Sequence, residues 1–324
     1  MKLLVLEEKS VFERHAPKEL FSACEVTVMS PYSTAAEVAK VCGDAELLLA
    51  SPVIRIGRDM IAALSNLRLI QTEGVGFEGV DLDTAKERGI FVCNCRGVNA
   101  LAVAEHTVML MLCCLRDVVN GNRDVLEGRQ NDRKVEYMQT GSLKELGDCT
   151  VGFIGYGAIG REAARLTRAF GARTLYYKPV PADEEFAEYC PLEELLAISD
   201  IVSLNLPLTG ETENMADRRF YGKMKKGAYL INTARGGLVN SKDLIDAIAS
   251  GQLAGAGLDV LDHEPVQKDH VLLTAPEEVR RKIIFSPHIA GVSASAFRRT
   301  YEIVMENVIA VKQGKRPANI VNGL

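Results

Sequence analysis

The decapeptide VGFIGYGAIG, Val151 to Gly160, sets Gly155, Gly157 and Gly160 in the spacing G-x-G-x-x-G. Residues of that type and spacing suit the cradling of a pyrophosphate. The first glycine permits a tight turn, the second lets backbone approach phosphate, and the third lets a helix pack closely on a strand, with the phosphate facing the positive end of that helix. Ala158 and Ile159, between the second and third glycines, join them as candidate cofactor contacts. The pattern alone also describes a plain bend between strand and helix. Its surroundings favour the cradle, because TVGFI before it reads as a strand and Ile159, Ala163, Leu166 and Phe170 after it mark one apolar helix stripe.

A dinucleotide site normally carries an acid about twenty residues further on, where it accepts hydrogen bonds from the adenosine ribose. Here the segment TLYYKP puts Lys178 in that place. A cation there points to an ion pair with the 2'-phosphate of NADP; the alternative is a solvated surface lysine beside Pro179. The expectation is therefore NAD or NADP, with the lysine leaning to NADP.

The elements that must position these residues alternate almost throughout. KLLVL, EVTVM, AELLLA, LRLIQ and IFVCN read as strands, separated by helical stretches such as IGRDMIAAL and DLDTAKERG. This is the sequence form of a parallel sheet covered on both faces. A long helix follows from Ala100 to about Leu115, then EGRQNDRKVEYMQTGSLKEL, which has no apolar period and is expected to be a surface loop. From Thr150 a second series begins, TVGFIG, TLYY, IVSLNL, AYLINTA, LAGAGLDV and KIIFS, enough strands for a doubly wound dinucleotide domain. The tail SASAFRRTYEIVMENVIAVKQGK reads as one amphipathic helix, with Phe297, Tyr301, Val304, Val308 and Val311 on its apolar side.

Composition narrows the partners. At 324 residues the chain has room for about two domains, and 47% hydrophobic with 25% charged residues is ordinary for a globular protein. With 38 basic against 43 acidic residues the formal charge is -5, which offers nucleic acid or anionic lipid no polycationic surface. The most apolar run, ALAVAEHTVMLMLCCL, is interrupted by Glu105 and His106 and is too short for a membrane helix. MKLLVLEEKS turns charged too early for a secretory leader, so the expected location is the cytoplasm. The eight cysteines sit mostly in apolar runs and read as buried thiols. Cys93 and Cys95 lack the spacing and second pair of a zinc site, and no metal is expected.

Three downstream fragments, LINTARGGLVN, GAGLDVLDHEP and FSPHIAGVSASA, join the glycine turn and the earlier GVGFEGVDL and NALAVAEHT. Together and in this order they closely resemble the D-isomer-specific 2-hydroxyacid dehydrogenases, over the chain from about residue 45 to its C-terminus. The resemblance implies an α/β protein: a doubly wound parallel sheet (Rossmann) cofactor domain, residues 100–287, with a smaller flavodoxin-like α/β substrate domain built from residues 1–99 and 288–324. It further implies an active site in the cleft and a homodimer formed largely through the cofactor domains, with the helix near 100–120 at the interface.

By motif match, Arg235 in TARGG, Glu264 in HEP and His288 in SPHIAG occupy the family's catalytic positions. Their types suit the chemistry. Hydride arriving at a 2-keto carbon builds negative charge on its oxygen, so a donor must supply a proton and a fixed cation must hold the neighbouring carboxylate. His288 is the candidate acid in reduction and base in oxidation. Glu264 would orient it and favour its charged form, and Arg235 would hold the carboxylate with its planar fork. Taken singly each also reads as a loop residue, a turn cap or an exposed acid.

Other positions carry over with the resemblance. Val75 and Gly76, in GVG, match the loop whose amides hold the substrate carboxylate, and Val53, in ASPVIR, flanks the substrate side chain. Asp259 matches the acid that meets the nicotinamide carboxamide; Thr233 and Ala234 line the nicotinamide side, and Leu206 and Pro207 the adenine pocket. Gly291 is a further candidate cofactor contact, as are Arg235 and His288 themselves. Asp259 also reads as a strand-end cap. Lys178, Asn205 and Glu73 depart from the family's usual residues.

The activity expected is an NAD(P)-dependent oxidoreductase acting on a small 2-keto acid or D-2-hydroxy acid, of the glyoxylate, hydroxypyruvate or pyruvate kind. One alternative is D-3-phosphoglycerate dehydrogenase, with Arg55 or Arg96 meeting a phosphate. A second is a dinucleotide-sensing binding protein on the same fold.

Overall fold

The structure is a computed structural model that describes residues 1–52 and 54–324. The chain forms two compact units, Met1–Asn99 with Val292–Leu324, and Ala100–Gly291. The second crossing falls after Gly291 rather than before His288, so His288 lies in the same unit as Arg235 and Glu264.

The first unit holds strands β1 (Lys2–Leu6), β2 (Glu25–Met29), β3 (Leu47–Ala50), β4 (Leu69–Thr72) and β5 (Phe91–Cys93). They pair in parallel in the order β2-β1-β3-β4-β5, the flavodoxin-like arrangement. Alternate side chains of β1 enter opposite cores: Leu4 and Leu6 pack with Val38, Ile61 and Ile70, and Leu3 and Val5 with Tyr301, Val304, Val308 and Val311 of the terminal helix. That helix runs Ala294–Lys312 and begins at Ser293, whose hydroxyl accepts the Ala296 amide at 3.1 Å. The expected apolar stripe is the face it buries, Phe297 only partly.

The second unit holds β6 (Thr150–Ile154), β7 (Arg173–Tyr177), β8 (Glu188–Tyr189), β9 (Ile201–Leu204), β10 (Ala228–Asn232), β11 (Leu253–Leu258) and β12 (Ile283–Phe285). Their order is β12-β11-β10-β9-β6-β7-β8, and every pairing is parallel. This is the doubly wound order, and it reverses between β6 and β9. The helix Ala100–Leu115 buries Val108 and Met111 against Val151 and Phe153 on one face of the sheet. Ile154 and Leu204 face the other core.

Two sequence expectations need correction. The stretch expected as a surface loop contains the helix Gln130–Thr140, none of whose residues is buried. It is held by polar contacts to the helix Val118–Leu126 and the residue before it: Arg133 and Arg129 clasp the buried Asp124, and the Tyr137 hydroxyl donates to Asp117 at 2.8 Å. Apolar periodicity is blind to a helix docked by charge. The two-residue β8 was also missed, its side chains being exposed Glu188 and Tyr189.

Candidate active site

The glycine turn lies where the strand order reverses. β6 ends at Ile154, and Gly155 follows with φ +88°; a Cβ there would stand 2.4 Å from the Asn205 carbonyl oxygen. A Cβ on Gly160 would stand 2.5 Å from the Gly155 oxygen, whereas one on Gly157 would meet nothing within 4 Å. Two glycines are thus forced by packing, and the middle one faces open space. Gly157 caps the helix Ala158–Ala169, whose first amides have no partner within the helix. Asn205, at the end of β9, has a buried Oδ1 with no partner among the described residues. Free space, outward amides and an orphaned polar atom at one switch point fit a dinucleotide, and Leu206 and Pro207 continue from Asn205 beside it.

Lys178 is not an isolated cation. Its Nζ donates to Glu184 Oε1 at 2.7 Å and lies 5.5 Å from the centre of the Tyr176 ring. Lys178 is partly exposed and paired, so the free-cation reading is qualified by a carboxylate that the sequence analysis did not single out.

Arg235 is placed by its neighbours. The Asn232 side chain accepts the Ala234 amide at 3.0 Å and donates to the Arg235 carbonyl at 2.9 Å, locking the turn after β10. Gly236 follows so tightly against the loop after β11 that a Cβ would fall 1.9 Å from the carbonyl carbon of Leu261. That approach brings the arginine's segment to the loop carrying Glu264. Thr233 Oγ1 is 2.8 Å from Thr107 Oγ1, which ties the same turn to the helix Ala100–Leu115.

His288 follows β12 with φ +54°, in the left-handed region that non-glycine residues seldom adopt. Its amide donates to the Asp259 carbonyl at 2.8 Å, and its Nδ1 is 2.5 Å from Glu264 Oε2. The hydrogen bond and charge of Glu264 raise the imidazole pKa above 6.5, against burial and the Arg235 charge. Burial pushes the Glu264 carboxyl up, but His288 and the Leu261 amide outweigh it and leave the group below 4.5. The pairing favours the charged imidazole and engages its Nδ1.

Asp259 has a structural task beyond the expected one. Its buried carboxylate accepts the Ser286 hydroxyl at 2.5 Å and the amides of Ile289 and Ala290 at 3.0 and 2.8 Å. His106 Nε2 is 2.8 Å from the same hydroxyl and 3.4 Å from the carboxylate. Burial raises this carboxyl, yet these donors hold it far below the usual range. Asp259 therefore grips the chain on both sides of His288. Ser286 and His106 were missed, because only their proximity to Asp259 marks them. Gly291, next to Ala290, is the last residue of this unit.

In the first unit the GVG loop follows β4. The Asn94 side chain donates to the Val75 carbonyl at 2.7 Å and the Cys95 amide to the Gly74 carbonyl at 2.7 Å, which fixes the loop before Gly76. Val53 lies outside the described residues. Among the described residues no cluster of His, Cys, Asp or Glu could hold a metal ion, and no helix is long and apolar enough to cross a membrane.

Hydride exchange with a carbonyl carbon asks for a dinucleotide at a sheet's switch point and a proton donor held charged at neighbouring strand ends. The second unit has a glycine turn at the switch point and a histidine–carboxylate pair at strand ends, an arrangement that fits the class of nicotinamide-dependent dehydrogenases. The model of the D-isomer specific 2-hydroxyacid dehydrogenase NAD binding domain matches residues 108–290. A glyoxylate reductase of Korarchaeum cryptofilum is 37% identical over 290 residues, covering 88% of this chain and 84% of its own. A hydroxypyruvate reductase of Thermotoga maritima is 32% identical over 303 residues, covering 91% and 94%. The D-lactate dehydrogenase of Lactobacillus jensenii, solved with NAD+, superposes with TM-score 0.82 at 28% identity over 99% of each chain. The chain belongs to the D-isomer specific 2-hydroxyacid dehydrogenase family and is an NAD(P)-dependent oxidoreductase of 2-hydroxy and 2-keto acids.

Proposed function

We propose that this enzyme reduces small 2-keto acids, of the glyoxylate, hydroxypyruvate or pyruvate kind, to D-2-hydroxy acids. The observation that carries the reading is the His288–Glu264 pair at 2.5 Å, with similarity to glyoxylate and hydroxypyruvate reductases as support for the substrate class. The nicotinamide, when bound, supplies the hydride. His288 gives a proton from Nε2 to the carbonyl oxygen, Glu264 keeps the imidazole charged and oriented at Nδ1, and Arg235 holds the substrate carboxylate. Asp259 and Ser286 keep the His288 loop in place. Val75 and Gly76 are read as substrate contacts of the first unit, proposed as the substrate domain, and the second unit is proposed as the cofactor domain.

The cofactor is NAD or NADP. The case for NADP rested on Lys178 alone, and its pairing with Glu184 weakens that case. A homodimer is proposed on the side chains left exposed along the three helices between 100 and 140: Leu126 is 81% and Met138 74% exposed, with Val118, Val125 and Met109 beside them in sequence. A cytoplasmic location and the absence of nucleic acid or membrane partners complete the reading. The test is to mix protein with NADH or NADPH and a panel of 2-keto acids and follow absorbance; tight cofactor binding without oxidation by any keto acid would favour a dinucleotide sensor. Light scattering would report the dimer.

A further inference from the structure

The geometry points to Glu184 as the residue that selects the cofactor, by neutralising Lys178 and offering its own carboxylate to the adenosine ribose. This rests on the reading of the glycine turn as a dinucleotide cradle. The position of Glu184 is built rather than accidental. The loop after β7 is pinned back onto its strand by the Tyr176 hydroxyl, which bonds the amide and carbonyl of Ala182, and by Thr174, whose hydroxyl donates to the Phe186 carbonyl at 2.5 Å. That pinning carries Glu184 over the strand end, with 15% of its side chain exposed and 25% of Lys178. Tyr176, under the lysine, packs at a tilt with its ring centre 4.4 Å from that of Tyr156, the residue between the first two glycines of the turn. The acid and the cradle are therefore neighbours.

Lys178 holds Glu184 Oε1 at 2.7 Å, Arg161, on the helix that starts at the turn, lies 3.8 Å from Glu185, and Arg168 of the same helix donates to the Glu185 carbonyl at 2.9 Å. A 2'-phosphate arriving at Lys178 would meet the Glu184 charge at the same spot and would have to displace it from a partly buried pair, leaving two anions together. A 2'-hydroxyl meets no such opposition. Glu184 Oε2 has no partner among the described residues and can accept from the ribose while Oε1 keeps the lysine. The acid expected at residue 178 is thus restored from six residues further along the chain.

The parent enzyme is expected to prefer NADH. Glu184→Gln preserves the side-chain volume, removes the opposing charge and unmasks Lys178, so the NADPH:NADH ratio of kcat/KM should rise at least about tenfold. Lys178→Gln should lower the ratio. Equilibrium binding of ADP-ribose and of its 2'-phospho form to parent and variants should shift in the same directions, with no turnover required. A parent that prefers NADPH, or a ratio that Glu184→Gln moves less than about twofold, overturns the assignment. Absent turnover with every keto acid, in a parent that binds ADP-ribose, rejects the proposed reaction instead, and the two binding ratios still decide on Glu184.

Discussion

Nδ1 of His288 stands 2.5 Å from Oε2 of Glu264, so the carboxylate engages that ring nitrogen and not Nε2. The two residues are neighbours because the loop after β11 and the segment after β12 meet at strand ends on one side of a parallel sheet. Glu264 raises the imidazole pKa above 6.5. Reduction needs the imidazolium, so its rate should be high at low pH and fall as pH rises through that raised value.

Glu264→Gln removes the charge that raises the imidazole pKa. The descending limb of kcat/KM for keto-acid reduction should then move to lower pH. His288→Ala should lower kcat by about a hundredfold or more while cofactor still binds. Rate profiles between about pH 5 and 10 read the first effect and cofactor titration the second. An unmoved limb would show that the pair does not govern the proton.

Asp259→Asn should disturb the same loop from behind. An amide offers one acceptor oxygen where the carboxylate now receives Ser286, Ile289 and Ala290. Loss of stability of about 1–3 kcal/mol in denaturant unfolding is expected, with a fall in kcat. Because the Asp259 pKa is depressed in the fold, its contribution is complete above 3.8 and is lost as pH falls toward the folded value. The parent should therefore lose stability in acid more steeply than the variant.

Gly236→Ala tests the close approach that aligns Arg235. Its Cβ would be 1.9 Å from the Leu261 carbonyl carbon and 2.4 Å from the Asp262 nitrogen, both backbone atoms that cannot rotate aside. Separation of the two loops should cost about 3 kcal/mol or more and most of the activity. Thermal unfolding and keto-acid turnover measure the two effects, and a variant with parental turnover would refute the role given to this contact.

Glu73, next to the GVG loop, is expected to make stability fall with rising pH. Burial raises its carboxyl from 4.5 to about 7, Tyr301 opposing this with a hydrogen bond at 2.6 Å and Glu7 adding repulsion. The folded chain holds a proton that the unfolded chain releases above 4.5, so stability is full below that pH and declines until the folded group ionises near 7. Glu73→Gln stays neutral and should flatten the decline. Urea unfolding at a series of pH values between about 4 and 8 provides the comparison.

Local rules made the cradle legible. Within one strand–turn–helix, Gly155 is demanded by its positive φ and Gly160 by the nearby Gly155 oxygen, and the stripe that buries the terminal helix repeats within its own sequence. The helix Gln130–Thr140 escaped the same reading because Arg133, Arg129 and Tyr137 dock it by charge and hydrogen bonding, which leave no apolar period. His106 and Ser286, separated by 180 positions, reveal their shared duty only around Asp259.

By itself the amino-acid order determined the alternating strands and helices, the glycine turn between strand and helix and, through motif resemblance, the candidacy of Arg235, Glu264 and His288. Tertiary structure alone decided that Glu264 meets His288 through Nδ1, that Asp259 holds the loop around the histidine, and that Lys178 comes with Glu184 attached. The division has one physical cause. Periodicity and turn geometry act between near neighbours in the chain, whereas a proton's affinity and a cation's availability depend on whichever groups folding brings within a few ångströms.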